Sequence, residues 1–130
     1  MVIGILVILF AMAFPIGVDF YTSYQLTSET RLLVALLEQA RNRAMVNYYE
    51  SDHGLYIGAS DLVLFQGHSY ATRDSAQDQD FPRASYVTIT GSSELAFEAL
   101  AGRTASSTIT LTNGRQTKYV YVNQEGQIQF

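Results

Sequence analysis

The hydrophobic pattern changes character twice along the chain. Met1 to Val18 has no polar face: fifteen of its eighteen residues are Met, Val, Ile, Leu, Phe or Ala, and the first charge is Asp19. From Asp19 to about Tyr49 neither Pro nor Gly occurs. Within that stretch Leu33, Leu37, Ala40, Ala44 and Tyr48 recur at steps of four, three, four and four, which sets them on one face of a 3.6-residue helix. Leu32 and Leu36 widen the stripe, while Arg31, Glu38, Gln39, Arg41 and Asn42 suit the wet side, with Glu38 and Arg41 close enough to pair. Asp19 to Thr30, rich in Thr, Ser and Tyr, is weaker helix. Ser51-Asp52-His53-Gly54 reads as the helix stop, with Gly54 suited to the left-handed cap position.

After Gly54 the period becomes two. Short runs rich in Val, Ile, Thr, Tyr and Phe alternate with Gly, Asn, Asp and Ser, the signature of strands joined by turns. The expected strands are Leu55 to Ile57, Leu62 to Gln66, Ser85 to Thr90, Leu95 to Glu98, Thr108 to Thr112, Gln116 to Asn123 and Gln127 to Phe130. Asn113-Gly114 predicts a type I′ or related hairpin turn, and Gln124-Glu125-Gly126 repeats the logic before the last strand. Ala71 to Pro82 is polar, acidic and without period, and reads as an exposed loop. The three parts are thus an apolar segment over 1–18, an amphipathic helix over 19–53 and a β-rich head over 54–130. The expected class is α+β, a long N-terminal helix packed by its second half on a small antiparallel sheet.

The first segment admits three readings. As a helix it spans roughly 27 Å, about one bilayer core, and it reads as a membrane anchor. A secretory signal peptide has a small-x-small site like Ala11-Met12-Ala13, but it also wants a basic region ahead of the apolar run, which is missing. A core helix apolar on all sides has to be enclosed, and roughly 110 remaining residues can hardly do that. Pro15 removes a backbone donor and Gly17 weakens the next turn, so a kink or local melting is expected near Phe14 to Val18.

This order of parts resembles the type IV pilin superfamily, in particular the minor pilins and the H-type pseudopilins of type II secretion. The resemblance covers nearly the whole chain. It rests on Met1 to Pro15 (MVIGILVILFAMAFP), on Leu36 to Ala44 (LLEQARNRA), on Leu62 to Gly67 (LVLFQG) and on the closing segments Thr108 to Thr112 and Tyr119 to Phe130. Members of that family open with an aromatic residue and an early Glu behind a basic leader ending in Gly. Aligning Pro15 with the family's kink proline places that opening about seven residues before Met1. Because the chain has no such early Glu, the resemblance implies either a chain begun at an internal Met, the preferred reading, or an atypical member without that charged residue. It further implies a filament subunit without enzymatic turnover or cofactor. Such a subunit is cut by a prepilin peptidase and held as a single pass in the bacterial inner membrane with its head on the periplasmic side. It then packs against other pilin or pseudopilin subunits in a cell-surface or periplasmic filament. Ile3, Leu6, Leu9, Phe10, Phe14 and Pro15 would serve membrane and filament packing, and Leu33, Leu37, Ala40 and Ala44 would fasten the helix to the head.

Composition narrows the alternatives. The chain is 48% hydrophobic and 15% charged with a net charge of −4, too apolar for a disordered tail and too acidic for a general nucleic-acid binder. With no Cys and two His it has no disulfide, no thiolate nucleophile and little metal chemistry. Asp74, Asp78 and Asp80 offer oxygen ligands at short spacing for Ca²⁺ but lack the Gly and downstream Glu of the helix-loop-helix calcium motif, and read better as a solvated loop. His53 and His68 lie in expected turns at no ligand spacing and read as surface residues. No Gly-x-Ser-x-Gly elbow frames a nucleophile and no Gly-rich loop cradles phosphate. Arg103, Arg115 and Lys118, with Tyr119 and Tyr121 as stacking surface, form a weak DNA candidate. A different class of function remains beside the filament subunit: a binding module on a plain membrane tether, its β head holding DNA or a secreted partner.

Overall fold

The computed structural model describes residues 2–130, and the side chains of all of these except positions 9, 11–20 and 22. One helix, α1 (Val2–Met45), comes first, about 66 Å long at the usual rise. Eight strands follow: β1 (His53–Ile57), β2 (Asp61–Gln66), β3 (Gln79–Pro82), β4 (Thr88–Thr90), β5 (Glu94–Phe97), β6 (Ser107–Thr112), β7 (Thr117–Val122) and β8 (Ile128–Gln129). They form two antiparallel four-stranded sheets, ordered β3-β2-β1-β5 and β4-β6-β7-β8. The fold is α+β, with the long helix packed on small antiparallel sheets. α1 stays helical through Phe14 to Val18, so the local melting expected there does not occur; Leu9, Phe14 and Pro15 as packing residues fall among the side chains outside the described set.

Among the described side chains of α1, those that enter the core lie in its second half. Leu26, Leu33, Val34, Leu36, Leu37, Ala40 and Ala44 are buried in one cluster with Leu55 and Phe97 of the first sheet and Ile109, Leu111, Val120 and Val122 of the second. The 3.6-residue stripe of the helix meets the period-two inward faces of the strands, so both sheets share one core. Alternation also settles β7: Val120 and Val122 point inward, and Tyr119 and Tyr121 stand outward.

The helix stops earlier than the pattern suggested. It ends at Met45, where Asn47 takes a left-handed conformation (φ 57°, ψ 41°), a role Asn tolerates better than most side chains. Tyr49 and Glu50 also have positive φ, 54° and 52°. The Ala44 carbonyl, one of the last of the helix, accepts the N–H groups of Asn47 and Leu100 at 3.0 and 2.8 Å. Gly54 is therefore no cap. It sits inside β1, where a Cβ would lie 2.5 Å from both the Leu95 carbonyl oxygen and the Phe65 ring, so its missing side chain is what lets β1 approach its neighbours.

Two further expectations change. Ala71 to Pro82 is not a free loop, because Gln79–Pro82 pairs with β2 as an edge strand. Its outward residues are polar, and Pro82 is tolerated where no further strand needs its N–H. The hairpin at Asn113-Gly114 is a four-residue loop between the paired Thr112 and Thr117, and only Gly114 has positive φ (88°). The Asn113 Oδ1 accepts the N–H groups of Arg115 and Gln116 at 2.9 and 2.8 Å, so the Asn side chain closes the turn that a type I′ backbone would otherwise close.

Candidate functional site

Two regions stand apart from ordinary surface. The first is the free end of α1. Val2, Ile3, Ile5, Leu6, Val7, Ile8 and Phe10 are each 59–77% exposed, and they follow one another too closely to share a single face of the helix. Among the described side chains of α1, the first that is buried in the head is Leu26. Ile3, Leu6 and Phe10 are thus 77%, 60% and 74% exposed, whereas Leu33, Leu37, Ala40 and Ala44, all fully buried, hold the upper helix in the head. Among the described residues no helix is long and apolar enough to cross a membrane. Much of the 1–18 segment falls outside that set.

The second region is an open groove of about 500 Å³ between the far ends of the two sheets, bounded by Asp52, His68, Glu94, Glu98, Arg103 and Gln124. Asp52 organises it. Its Oδ1 accepts the Ala99 N–H at 2.7 Å, its Oδ2 lies 2.8 Å from the His68 Nδ1, and its carbonyl accepts the Gly67 N–H at 2.8 Å. Burial is the largest single influence on this carboxyl and opposes ionisation. The hydrogen bonds from His68 and Ala99 and the charges of His68 and His53 together overcome it and hold Asp52 below the usual carboxylate range. His68 is pushed above the usual imidazole range, first by its hydrogen bond to Asp52 and then by that carboxylate's charge. Ser92 lines the same groove, but its Oγ bonds the Ser107 Oγ at 2.5 Å and none of its hydrogen bonds goes to His68. The aspartate and histidine pair therefore bridges loops.

The remaining candidates separate. Asp74 caps a short 3-10 turn (Ser75–Gln77) by accepting the Ala76 N–H at 3.1 Å. Asp78 holds the Arg73 Nε at 2.8 Å, and Asp80 lies exposed in β3. Among the described residues no group of three His, Asp or Glu converges on a metal position. The Arg73 guanidinium lies 3.8 Å from the centre of the Tyr70 ring, which stacks at 3.8 Å on Tyr56. This three-layer stack pins the acidic segment over the outer face of the first sheet. His53 is not a surface residue. It is 1% exposed, and its Nε2 lies 2.7 Å from the Tyr48 carbonyl oxygen. Arg41 reaches the Glu125 carbonyl at 3.5 Å and makes no ion pair with Glu38.

The three suggested DNA-binding cations do not form one patch. Arg103 sits in the groove beside Glu125, its Nε 4.0 Å from the carboxylate. Arg115 belongs to the hairpin loop at the opposite end of the head, where Gln116 accepts the Ser23 hydroxyl at 2.7 Å, and Lys118 follows in β7. From Ser23 to Met45 the helix rises about 33 Å, which is the scale of that separation. Sequence reasoning missed the groove. Its one local signal was Ser51-Asp52-His53 at the helix-to-strand junction; the partners of Asp52 come from distant loops. Compared with protein families, with curated proteins and with solved structures, the chain finds no match in any of the three.

Proposed function

We propose that the chain is a filament subunit of the pilin type, a minor pilin or pseudopilin, whose work is assembly. The observation that carries this reading is the asymmetry of α1: a rod apolar on every described side, continuous with a helix that is locked into a head. Seven large apolar side chains left in water represent about 10–20 kcal/mol of unrealised burial. A partner has to supply it. A bilayer does so for a single chain, and apolar helices of neighbouring subunits do so in a filament, so the same surface serves both states. In this reading the subunit waits as a single pass in the bacterial inner membrane with its head on the periplasmic side, after a prepilin peptidase has cut it. It then enters a type IV pilus or a type II secretion pseudopilus.

Deleting Met1 to Val18 is expected to leave a soluble, folded head that no longer enters filaments. In the full chain, Leu6→Arg is expected to block incorporation while leaving the head's unfolding transition unchanged. Normal incorporation of either variant would count against the proposal. The tethered binding module predicts instead a full-length chain that stays monomeric in detergent at high concentration.

A further inference from the structure

β5 is the last strand of its sheet, and its free edge runs along the groove. The Ile57 N–H donates to the Ser93 carbonyl at 2.7 Å, which fixes the phase of the pairing: Ser93, Leu95 and Phe97 exchange main-chain bonds with β1. The N–H and C=O groups of Glu94 and Ala96 therefore point the other way, along an edge to which no further strand is paired among the described residues. Glu98 keeps the same phase, since its N–H turns outward and donates to the Arg103 carbonyl at 2.8 Å. That bond closes one end of the groove, and the Ser92 and Ser107 hydroxyls, 2.5 Å apart, close the other. Between the two closures lie Ala96 on one wall and Ala105 on the other, too small to screen the main chain of β5.

An exposed edge invites a strand from another chain, and the charges beside it decide which. Glu94 and Glu98 are both exposed, and among the described residues neither is in an ion pair. The cations around them are already engaged. His68 lies on Asp52, Arg103 faces Glu125 at 4.0 Å, Arg73 is held by Asp78 at 2.8 Å, and Arg41 reaches the Glu125 carbonyl. A second copy laid edge to edge would set these glutamates against their own kind. A segment carrying Lys or Arg meets the opposite charge.

Leu100, at the end of the groove, adds an apolar contact. It is 68% exposed and holds a left-handed backbone, φ 68°, which glycine adopts readily and leucine does not. Three hydrogen bonds from the main chain keep it there: the Ala99 N–H to the Asp52 Oδ1, the Leu100 N–H to the Ala44 carbonyl and the Gly102 N–H to the Glu98 carbonyl, at 2.7, 2.8 and 2.8 Å. Little of its side chain is buried in exchange for that strain.

We propose that the β5 edge receives an extended, basic segment of a partner protein as an added strand. Glu94 and Ala96 hold the backbone of about three of its residues, roughly 10 Å of chain. Glu94 and Glu98 take its Lys or Arg side chains, and Leu100 packs against an apolar residue beside them. The site lies on the head and goes beyond the filament reading, because it does not depend on how the rod is buried.

The test uses the full-length chain in micelles of an uncharged detergent. The probes are a library of fluorescent heptapeptides, capped at both ends, in which Val, Thr or Leu alternate with Lys or Arg, with Gln, or with Glu. Fluorescence anisotropy should show binding of Lys and Arg members, with Gln members weaker by about tenfold and Glu members weaker still. Hydrogen exchange at the Glu94 and Ala96 amides should slow in the complex. Glu94→Gln with Glu98→Gln should weaken the basic members by about fivefold or more and remove their advantage over Gln members. Ala96→Pro, or methylation of the peptide nitrogens that face β5, should weaken binding by about tenfold; the methylated peptides probe the same bonds without altering the head. Leu100→Gly should weaken binding by about threefold and leave the head's melting temperature the same or higher. Failure of every library member to bind overturns the docking edge. Binding that ignores charge overturns the basic partner. Binding that ignores backbone methylation, or leaves exchange at Glu94 and Ala96 unchanged, overturns strand addition. None of these outcomes involves the rod, so the filament reading is tested separately.

Discussion

The two ends of α1 are one element with two fates. Near its start, Val2, Ile3, Ile5, Leu6, Val7, Ile8 and Phe10 leave well over half of their surface in the open; near its end, Leu33, Leu37, Ala40 and Ala44 leave none. Both stretches are rich in Leu, Ile, Val and Ala, and both belong to the same helix. The difference is the polar face. The upper stretch sets Arg31, Glu38 and Gln39 opposite its apolar stripe, so one side of it can pack on sheets while the other stays wet. The lower stretch has no polar side, and no single layer of strands could cover it. Hydrophobicity alone did not locate the core of this protein. Periodicity did.

Substitutions at matched positions along the helix sharpen that contrast. Leu37→Ala should cost the head about 2–5 kcal/mol, because the cavity opens between two sheets that cannot both collapse onto it. Chemical denaturation of the full chain in detergent would register the loss. Gly54→Ala comes next, at about 1–3 kcal/mol, since its Cβ meets the Leu95 backbone and the Phe65 ring at 2.5 Å and a backbone oxygen yields little. Asp52→Ala should cost about 1–2 kcal/mol by stranding the Ala99 N–H and releasing His68. At the other end of the scale, Leu6→Ser should shift the head's stability by no more than about 0.5 kcal/mol, although it strikes a residue as apolar as Leu37. A loss comparable to that of Leu37→Ala would mean that the rod folds back on the head, and the contrast would fail.

The Asp52 and His68 pair makes the head's stability depend on pH in a stated direction. The Asp52 pKa is lowered by folding, so its contribution is present above the usual carboxylate range and fades as pH falls through the folded value. The His68 pKa is raised, so its contribution is complete below the usual imidazole range and fades as pH rises through the folded value. The charged pair thus helps most in mildly acidic solution. His68→Ala should flatten the alkaline side of the stability profile, with an effect kept small by the exposure of its imidazole. Thermal melts across that pH range would test it.

Much of this could be read from local patterns. The stripe from Leu33 to Ala44 faces the core as its spacing indicated, and strand pairs such as Thr108 to Thr112 with Thr117 to Val122 fall where alternation and turn residues put them. The failures share one cause. Gly54 looked like a cap because glycine permits left-handed backbone, yet here it answers a close approach by β5, more than forty residues further on. Gln79–Pro82 looked like loop because an edge strand shows a polar side to water, and only its pairing to β2 makes it a strand. His53 looked exposed because its chain neighbours are turn-forming residues, and only its pairing with Gln66 of β2 and Phe97 of β5 places it inside the first sheet.

The sequence by itself determined the division into rod, amphipathic helix and β head, since each follows from the spacing of apolar residues over short distances. It also determined which side of the upper helix turns inward. The tertiary structure alone decided that the head has two sheets rather than one, that Asp52 ties three loops around a groove, and that Tyr21, Tyr86 and the Arg115 hairpin gather at the neck. These are meetings of residues from about fifteen to more than ninety positions apart. No local period encodes such distances; they are set by which faces remain to be buried once each element has formed.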